Sequence, residues 1–349
     1  MKQKKIYNGI DIVKLISAIC IVLLHTIETT AWYPCEVKFV FTRFAVPFFF
    51  ITSGFFFYKG LKKSDDKKKY FLHYEKHLIF LFIVWAVIIY APVTLVTYAK
   101  QNLEIWEFLL VYFRRVFVIG PGPYWYLVAM ILSAGFLYYC EKRSSDNLII
   151  IGIIVGLALM IMYSCFQGVL GTITIFSWFF KAVYTVYSFE FNFIMYGIPF
   201  MGMGYLISKK EIKIKQSNAL LGIVFFTILR IIEYNLPIIF SSEFFKNNTL
   251  SIAFIGQAIF IFLFAKEWSI NISRKTSELL RKFSTWVYLT HAIILYNIIN
   301  PILERFTNLD TYGWEMIFPK VLVIIIICLI LFMIIKKLDN KYLNKLIDG

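Results

Sequence analysis

Charged side chains are scarce in this 349-residue sequence: 16% of its residues are charged, against 60% hydrophobic and 19% aromatic. Soluble domains carry about 25% charged residues, so the shortfall excludes an ordinary water-soluble globule. Linkers rich in Gly, Ser or Pro are missing, and no polar block exceeds about 25 residues, which leaves one integral membrane domain over 1–349 as the expectation. The five cysteines (Cys20, Cys35, Cys140, Cys165, Cys328) are odd in number and scattered, which gives neither a disulfide framework nor ligand spacing for a metal. Walker, Rossmann and zinc-protease motifs are absent, so no metal and no tightly bound cofactor is expected. The chain also lacks a matching pair of broken hydrophobic segments, which argues against an inverted-repeat transporter.

What is present is length of apolar sequence. A membrane-crossing helix needs about 20 mostly apolar residues, and ten runs qualify: 9–29, 38–58, 78–98, 122–140, 148–166, 191–208, 217–240, 250–266, 283–300 and 316–336. The fold class is therefore all-α, a polytopic membrane helical bundle of about ten transmembrane helices. Two stretches, 103–120 and 167–190, read instead as re-entrant or interfacial; the second contains "ITIFSWFFKAVYTVYSF". The first run, after "MKQKK", is read as a permanent helix and not as a cleaved signal, because it carries charges and nine more runs follow. "NNT" (247–249) and "NIS" (271–273) fit a glycosylation pattern too short to weigh.

The net charge of +15 raises the question of nucleic acid, and the positions of the 36 Lys and Arg answer it. With the N-terminus inside, 25 of the 36 fall on the cytoplasmic side, chiefly in the 59–77 and 266–282 loops and the tail, and eight fall outside. That asymmetry is the positive-inside rule. It puts both termini in the cytoplasm, makes membrane lipids the charged partner and leaves no call for nucleic acid.

Against this apolar background the ionisable residues inside the runs stand out, because each costs about 2.5–3.5 kcal/mol on insertion scales and so faces a cavity or a partner. In "GIDIVKLISAICIVLLHT" (9–26), Lys14 and His25 are eleven residues apart. That is close to three helical turns, so both face one side, about 16 Å apart along the axis. Asp11 lies one turn before Lys14 on nearly the same stripe and either neutralises it or joins a site. Arg43 is expected in the outer half of the second run, with Ser53 in its inner half. Arg230 and Glu233 in "ILRIIEYNL" are either a self-satisfied pair or site members. His291 is expected about 12 Å into the ninth run, nearer the cytoplasm. A lone intramembrane His is often only hydrogen-bonded across helices.

With these residues in hand, the chain resembles the bacterial integral-membrane acyltransferase family 3 over nearly its whole length. The resemblance is strongest in the first helix, where the family shows a basic residue, ten intervening residues and His, matched here by Lys14 and His25. It continues in "RFAVPFFFITSGFFF" (43–57) and more weakly in "PYWYL" (123–127, with Trp125 and Tyr126), "YGIPFMGMGYLI" (196–207) and "FSTWVYLTH" (283–291). Lys stands at position 14 where the family usually has Arg, which keeps the charge and loses the planar fork. At the entrance to the third helix, where the family favours Arg, this chain has "HYEKH" (73–77), so a basic role there falls to Lys76 or His77. The first helix is also similar to the membrane domains attached to vancomycin-resistance serine racemases.

The resemblance implies an enzyme that moves an acyl group, with acetyl expected, from cytoplasmic acyl-CoA to a hydroxyl of an envelope glycan, a lipid-linked sugar or a related acceptor at the bacterial cytoplasmic membrane. Such chemistry needs a base, an oxyanion donor and a held thioester. His25 is assigned as base, Lys14 as a point charge for CoA phosphates, Arg43 as oxyanion or acceptor ligand and His291 as proton relay or acyl carrier. Asp11, Ser53, Trp125, Tyr126, Lys76, His77, Arg230 and Glu233 are assigned to substrate binding. Two other classes compete: a proton-coupled transporter, signalled by gradient-driven uptake without acyl-CoA consumption, and a non-catalytic sensing or anchoring module, signalled by tolerance of substitutions at His25 and Lys14.

Overall fold

The computed structural model describes residues 6–27, 37–92, 104–187, 192–239, 252–306, 314–338 and 340–347, and among them every regular element is helical. The expected ends of the runs at 28–29, 93–98, 240 and 250–251, Cys35 and the "NNT" triplet lie outside the described residues. Among the described residues, eight helical stretches are long and apolar enough to cross a membrane: Asn8–Thr26, Val37–Lys63, Lys67–Tyr90, Gly122–Lys142, Asp146–Cys165, Gln216–Asn235, Arg274–Phe306 and Ile317–Leu338. Two further expected runs form shorter described helices. One is a nine-residue π-helical stretch, Phe193–Met201, continued by eight α-helical residues, and the other is Ile252–Glu267, with 16 residues.

We number the main α-helices α1 (Asn8–Thr26), α2 (Ala45–Lys63), α3 (Lys67–Leu81), α4 (Ile105–Phe113), α5 (Trp125–Lys142), α6 (Asp146–Cys165), α7 (Thr174–Tyr187), α8 (Gly202–Lys209), α9 (Gln216–Ile239), α10 (Ile252–Glu267), α11 (Arg274–Ile294) and α12 (Ile317–Leu338). The stretches read as re-entrant or interfacial contain helices: α4 runs on as a π-helix to Ile119, and α7 has 14 residues. At 1.5 Å per residue, α7 is about 21 Å long, less than the roughly 30 Å of bilayer hydrocarbon.

The described chain forms two compact units. The first takes the residues up to Phe49, Lys213–Leu236 and the residues from Ile252 onward; the second is chiefly Phe50–Ile212.

In the first unit, α1 and α11 run parallel in one fixed register. The Ser277 hydroxyl donates to Asp11 Oδ2 near their starts, and the rings of His25 and His291 meet near their ends, with the same separation of 266 residues in each pair. That register holds over fourteen residues, about 21 Å. Ser273 caps α11 by accepting from Thr276 N (3.0 Å), as N-cap serines do. The Trp286 indole N–H donates to the Cys328 carbonyl of α12 at 2.9 Å. A π-helical stretch, Val37–Thr42, precedes α2. Two of its carbonyls are served by side chains from elsewhere: Arg230 Nε donates to Phe39 O (3.1 Å) and Gln257 Nε2 to Val40 O (3.2 Å).

In the second unit, α2 and the Phe193–Lys209 helix touch backbone to backbone. A Cβ on Gly54 would sit 1.9 Å from the Met201 carbonyl oxygen, and one on Gly204 would sit 1.9 Å from that of Ile51. Glycine is required on both sides of such a crossing. At the lysine-rich end of the same unit, the Glu141 carboxylate binds Lys67 (2.7 Å), Lys209 (3.1 Å) and the Tyr205 hydroxyl, and Lys209 also reaches Asp146 (2.8 Å).

Candidate active site

The site in the first unit is built on the α1–α11 register. Lys14 and His25 are both half-buried, and both turn toward α11. Lys14 lies near Arg281, which is 3.9 Å from Asp11 Oδ2. The ring of His25 lies 5.2 Å from that of His291, measured between centroids. The sequence expectation set these two histidines at different depths, with His291 nearer the cytoplasm. The structure overturns it: α11 begins at Arg274, well before the apolar run at 283, so the helix is longer than its greasy part and His291 stands level with His25 in the last turn of α1.

The chemistry of His291 is fixed by its neighbours. It is 0% exposed, and its Nδ1 lies 2.7 Å from the Tyr288 carbonyl and 3.2 Å from that of Val287. Carbonyl oxygens only accept, so Nδ1 carries the proton and Nε2 presents a lone pair. That Nε2 is buried and has no hydrogen-bond partner among the described residues. Tyr296 Oη completes the group, 3.4 Å from His25 Nδ1. It stands five residues after His291, at the start of a π-helical stretch, Leu295–Ile299.

Two cations act on His25 through space, Lys38 and Arg43. Lys38 Nζ donates to the Ile27 carbonyl at the C-terminal end of α1 (2.7 Å), where helix carbonyls lack partners. Arg43 lies in the turn between Val37–Thr42 and α2, its guanidinium 5.2 Å from the Phe39 ring centroid.

The remaining assigned residues separate into fasteners and a second polar cluster. Asp11, 4% exposed, ties α1 to α11 through Ser277. Arg230, 1% exposed, holds the Phe39 carbonyl and lies 4.0 Å from Glu233. The Glu233 carboxylate in turn accepts from the Ala253 N–H (3.1 Å to each oxygen), capping α10 from another helix. In the second unit, Ser53 Oγ and Tyr126 Oη are 3.4 Å apart, Tyr74 also shares a hydrogen bond with Ser53, and the Phe50 ring lies against those of Trp125 (6.0 Å) and Tyr126 (4.4 Å). Lys76 is exposed and His77 half-buried on α3. Glu75 beside them is buried, its Oε1 without a partner among the described residues.

Sequence reasoning passed over Tyr296, Ser277, Arg281, Lys38, Gln257 and Glu75. The Ser273 cap signal, extended through the α-helical pattern, would have found Ser277 and Arg281. Among the described residues, no cluster of His, Cys, Asp and Glu fits a metal ion, and no disulfide joins Cys20, Cys140, Cys165 and Cys328.

A family profile described as "Acyltransferase domain" matches residues 7–336. The chain belongs to this acyltransferase family. With helices long and apolar enough to cross a membrane, it is a multi-pass membrane member of that family. An amino-acid racemase of Enterococcus faecalis is 27% identical to this chain over 229 residues, which is 62% of this chain and 30% of that protein. The chain thus spans under a third of that relative's length. No solved structure matches it.

Proposed function

We propose that this acyltransferase carries an acyl group, acetyl in the simplest case, from cytoplasmic acyl-CoA to a hydroxyl of an envelope carbohydrate or related acceptor at the bacterial cytoplasmic membrane. The observation that carries the proposal is the buried Nε2 of His291, without a hydrogen-bond partner among the described residues, beside the ring of His25. Two imidazoles at that separation provide a place to put the proton that an attacking hydroxyl must lose. In this reaction the acceptor oxygen bonds to the thioester carbon as His25 takes its proton. The carbon–sulfur bond then breaks, and the proton leaves with the CoA thiolate. His291 steadies the imidazolium formed at His25. Arg43, already within electrostatic reach of His25, supports the developing oxyanion. Lys14, three turns away near Arg281, is where CoA phosphates find positive charge. The partial match to an amino-acid racemase keeps an amino acid among the acceptor classes.

The test is acyl transfer from radiolabelled acetyl-CoA in membrane vesicles, with the envelope glycans compared by mass spectrometry with and without the gene. His25→Ala and His291→Ala are each expected to lower turnover by about 10² or more, with insertion unchanged. Lys14→Arg retains acyl-CoA affinity better than Lys14→Ala. Full activity in both His variants removes the pair from the chemistry. Proton-driven uptake without acyl-CoA consumption moves the assignment to a transporter, and indifference to all three substitutions moves it to a non-catalytic module.

A further inference from the structure

The aromatic segment after α6 has no part in the site above, and it shapes a cavity of its own. An open cleft of about 620 Å³ is lined by Gln167, Thr172, Ser177, Phe180, Lys181 and Tyr184 with two glycines between them, a volume within the 300–1,000 Å³ usual for small-ligand sites. Four of these residues, at 177, 180, 181 and 184, follow the i, i+3, i+4, i+7 rule and so form one face of α7. Elsewhere on α7, Ile175 (72% exposed) and Trp178 (68%) project outward, as in helices that lie in the membrane interface.

The wall is held in place. Phe180 is buried edge-on against Tyr163 of α6, 5.7 Å between centroids. The C-terminal end of α7 is clasped by Arg114, whose Nε donates to the Val186 carbonyl (3.1 Å). Lys181 lies 5.6 Å from the Trp178 ring centroid. Location follows from connectivity: α6 starts at Asp146 in the Lys209 ion-pair network and has 20 residues, about 30 Å of rise. The cleft therefore lies at the far end of α6 from that ion-pair network, the end that the charge asymmetry of the sequence assigns to the outside.

We propose that this cavity is a saccharide-binding site on the outer face, taking one or two pyranose rings of the acceptor. This rests on the acceptor being a glycan. Hydroxyls of Thr172, Ser177 and Tyr184 and the amide of Gln167 donate and accept as sugar hydroxyls do. The exposed Tyr184 ring offers a face for the apolar side of a pyranose. A single ammonium, drawn over an indole and lacking a guanidinium fork, suits a polyol better than a phosphate.

The full-length protein in nanodiscs, applied to a microarray of bacterial mono- to tetrasaccharides, is expected to retain a defined subset. Tyr184→Ala should weaken that binding about tenfold, and Ser177→Ala by about threefold. His25→Ala should leave it unchanged, so loss of acyl transfer and loss of sugar binding are read separately. Retention of no saccharide by the folded protein overturns the proposal. So does binding that survives Tyr184→Ala, or binding only to vesicles of anionic lipid.

Discussion

The crossing of α2 with the Phe193–Lys209 helix lends itself to a quantitative test. A methyl group on Gly54 or on Gly204 would fall 1.9 Å from a carbonyl oxygen, where ordinary contact begins at 3.4 Å. The obstacles are backbone atoms of Met201 and Ile51, with no side chain to swing aside, so either substitution must push the two helices about 1.5 Å apart along the contact. Overpacking of this kind costs about 1–3 kcal/mol, which for a protein of this size lowers the unfolding midpoint by about 1–4 °C. Gly54→Ala and Gly204→Ala are each expected to do so when unfolding is followed by tryptophan fluorescence in detergent micelles. The double variant should lose clearly less than the two single losses combined, because helices already parted for one methyl have room for the other. Midpoints within a degree of the parent, or strict additivity, refute the close crossing.

Three further outcomes follow from the contacts of the first unit. Asp11→Asn leaves the Ser277 hydroxyl a neutral acceptor and removes the charge facing Lys14 and Arg281, so a loss of about 1–2 kcal/mol is expected by thermal unfolding, with Asp11→Ala losing more. Arg230→Met strips the Phe39 carbonyl of its buried donor and should cost about 2–4 kcal/mol; an unchanged unfolding midpoint in micelles would contradict the hydrogen bond. Tyr296→Phe removes only the hydroxyl beside His25 and is expected to lower the turnover number about two- to tenfold with unfolding unaltered, measured by labelled acyl transfer.

The class of fold and the first-helix stripe were legible because both rest on local rules. Apolar length marks spans, and eleven residues is close to three turns, so Lys14 and His25 share a side from sequence alone. Depth along α11 was not legible. Hydropathy marks where grease begins, at Phe283, whereas the helix starts nine residues earlier under the Ser273 cap, which displaced His291 by more than two turns. Tyr296 carries no charge and did not stand out among 22 tyrosines. Arg230 and Glu233 read equally as a self-satisfied pair or as site members, because intramembrane charge needs a partner or a cavity; that they also reach a π-helical carbonyl and the start of α10 was not legible, since those contacts are distant in sequence. The Ser177–Tyr184 face carried helical periodicity in plain view, but nothing in one dimension says that it lines a cleft.

The commitment of His291 Nδ1 to two main-chain oxygens has a directional consequence. An imidazole conducts protons by taking one on one nitrogen and releasing the other from the opposite nitrogen. Here the rear nitrogen is tethered to the helix's own backbone, with no onward acceptor other than amide oxygen. Anything received at Nε2 must depart from Nε2. The ring is therefore a cul-de-sac and not a corridor: it can hold a proton for the duration of a bond rearrangement and hand it back to the same side, but it cannot drain charge from one face of the membrane to the other.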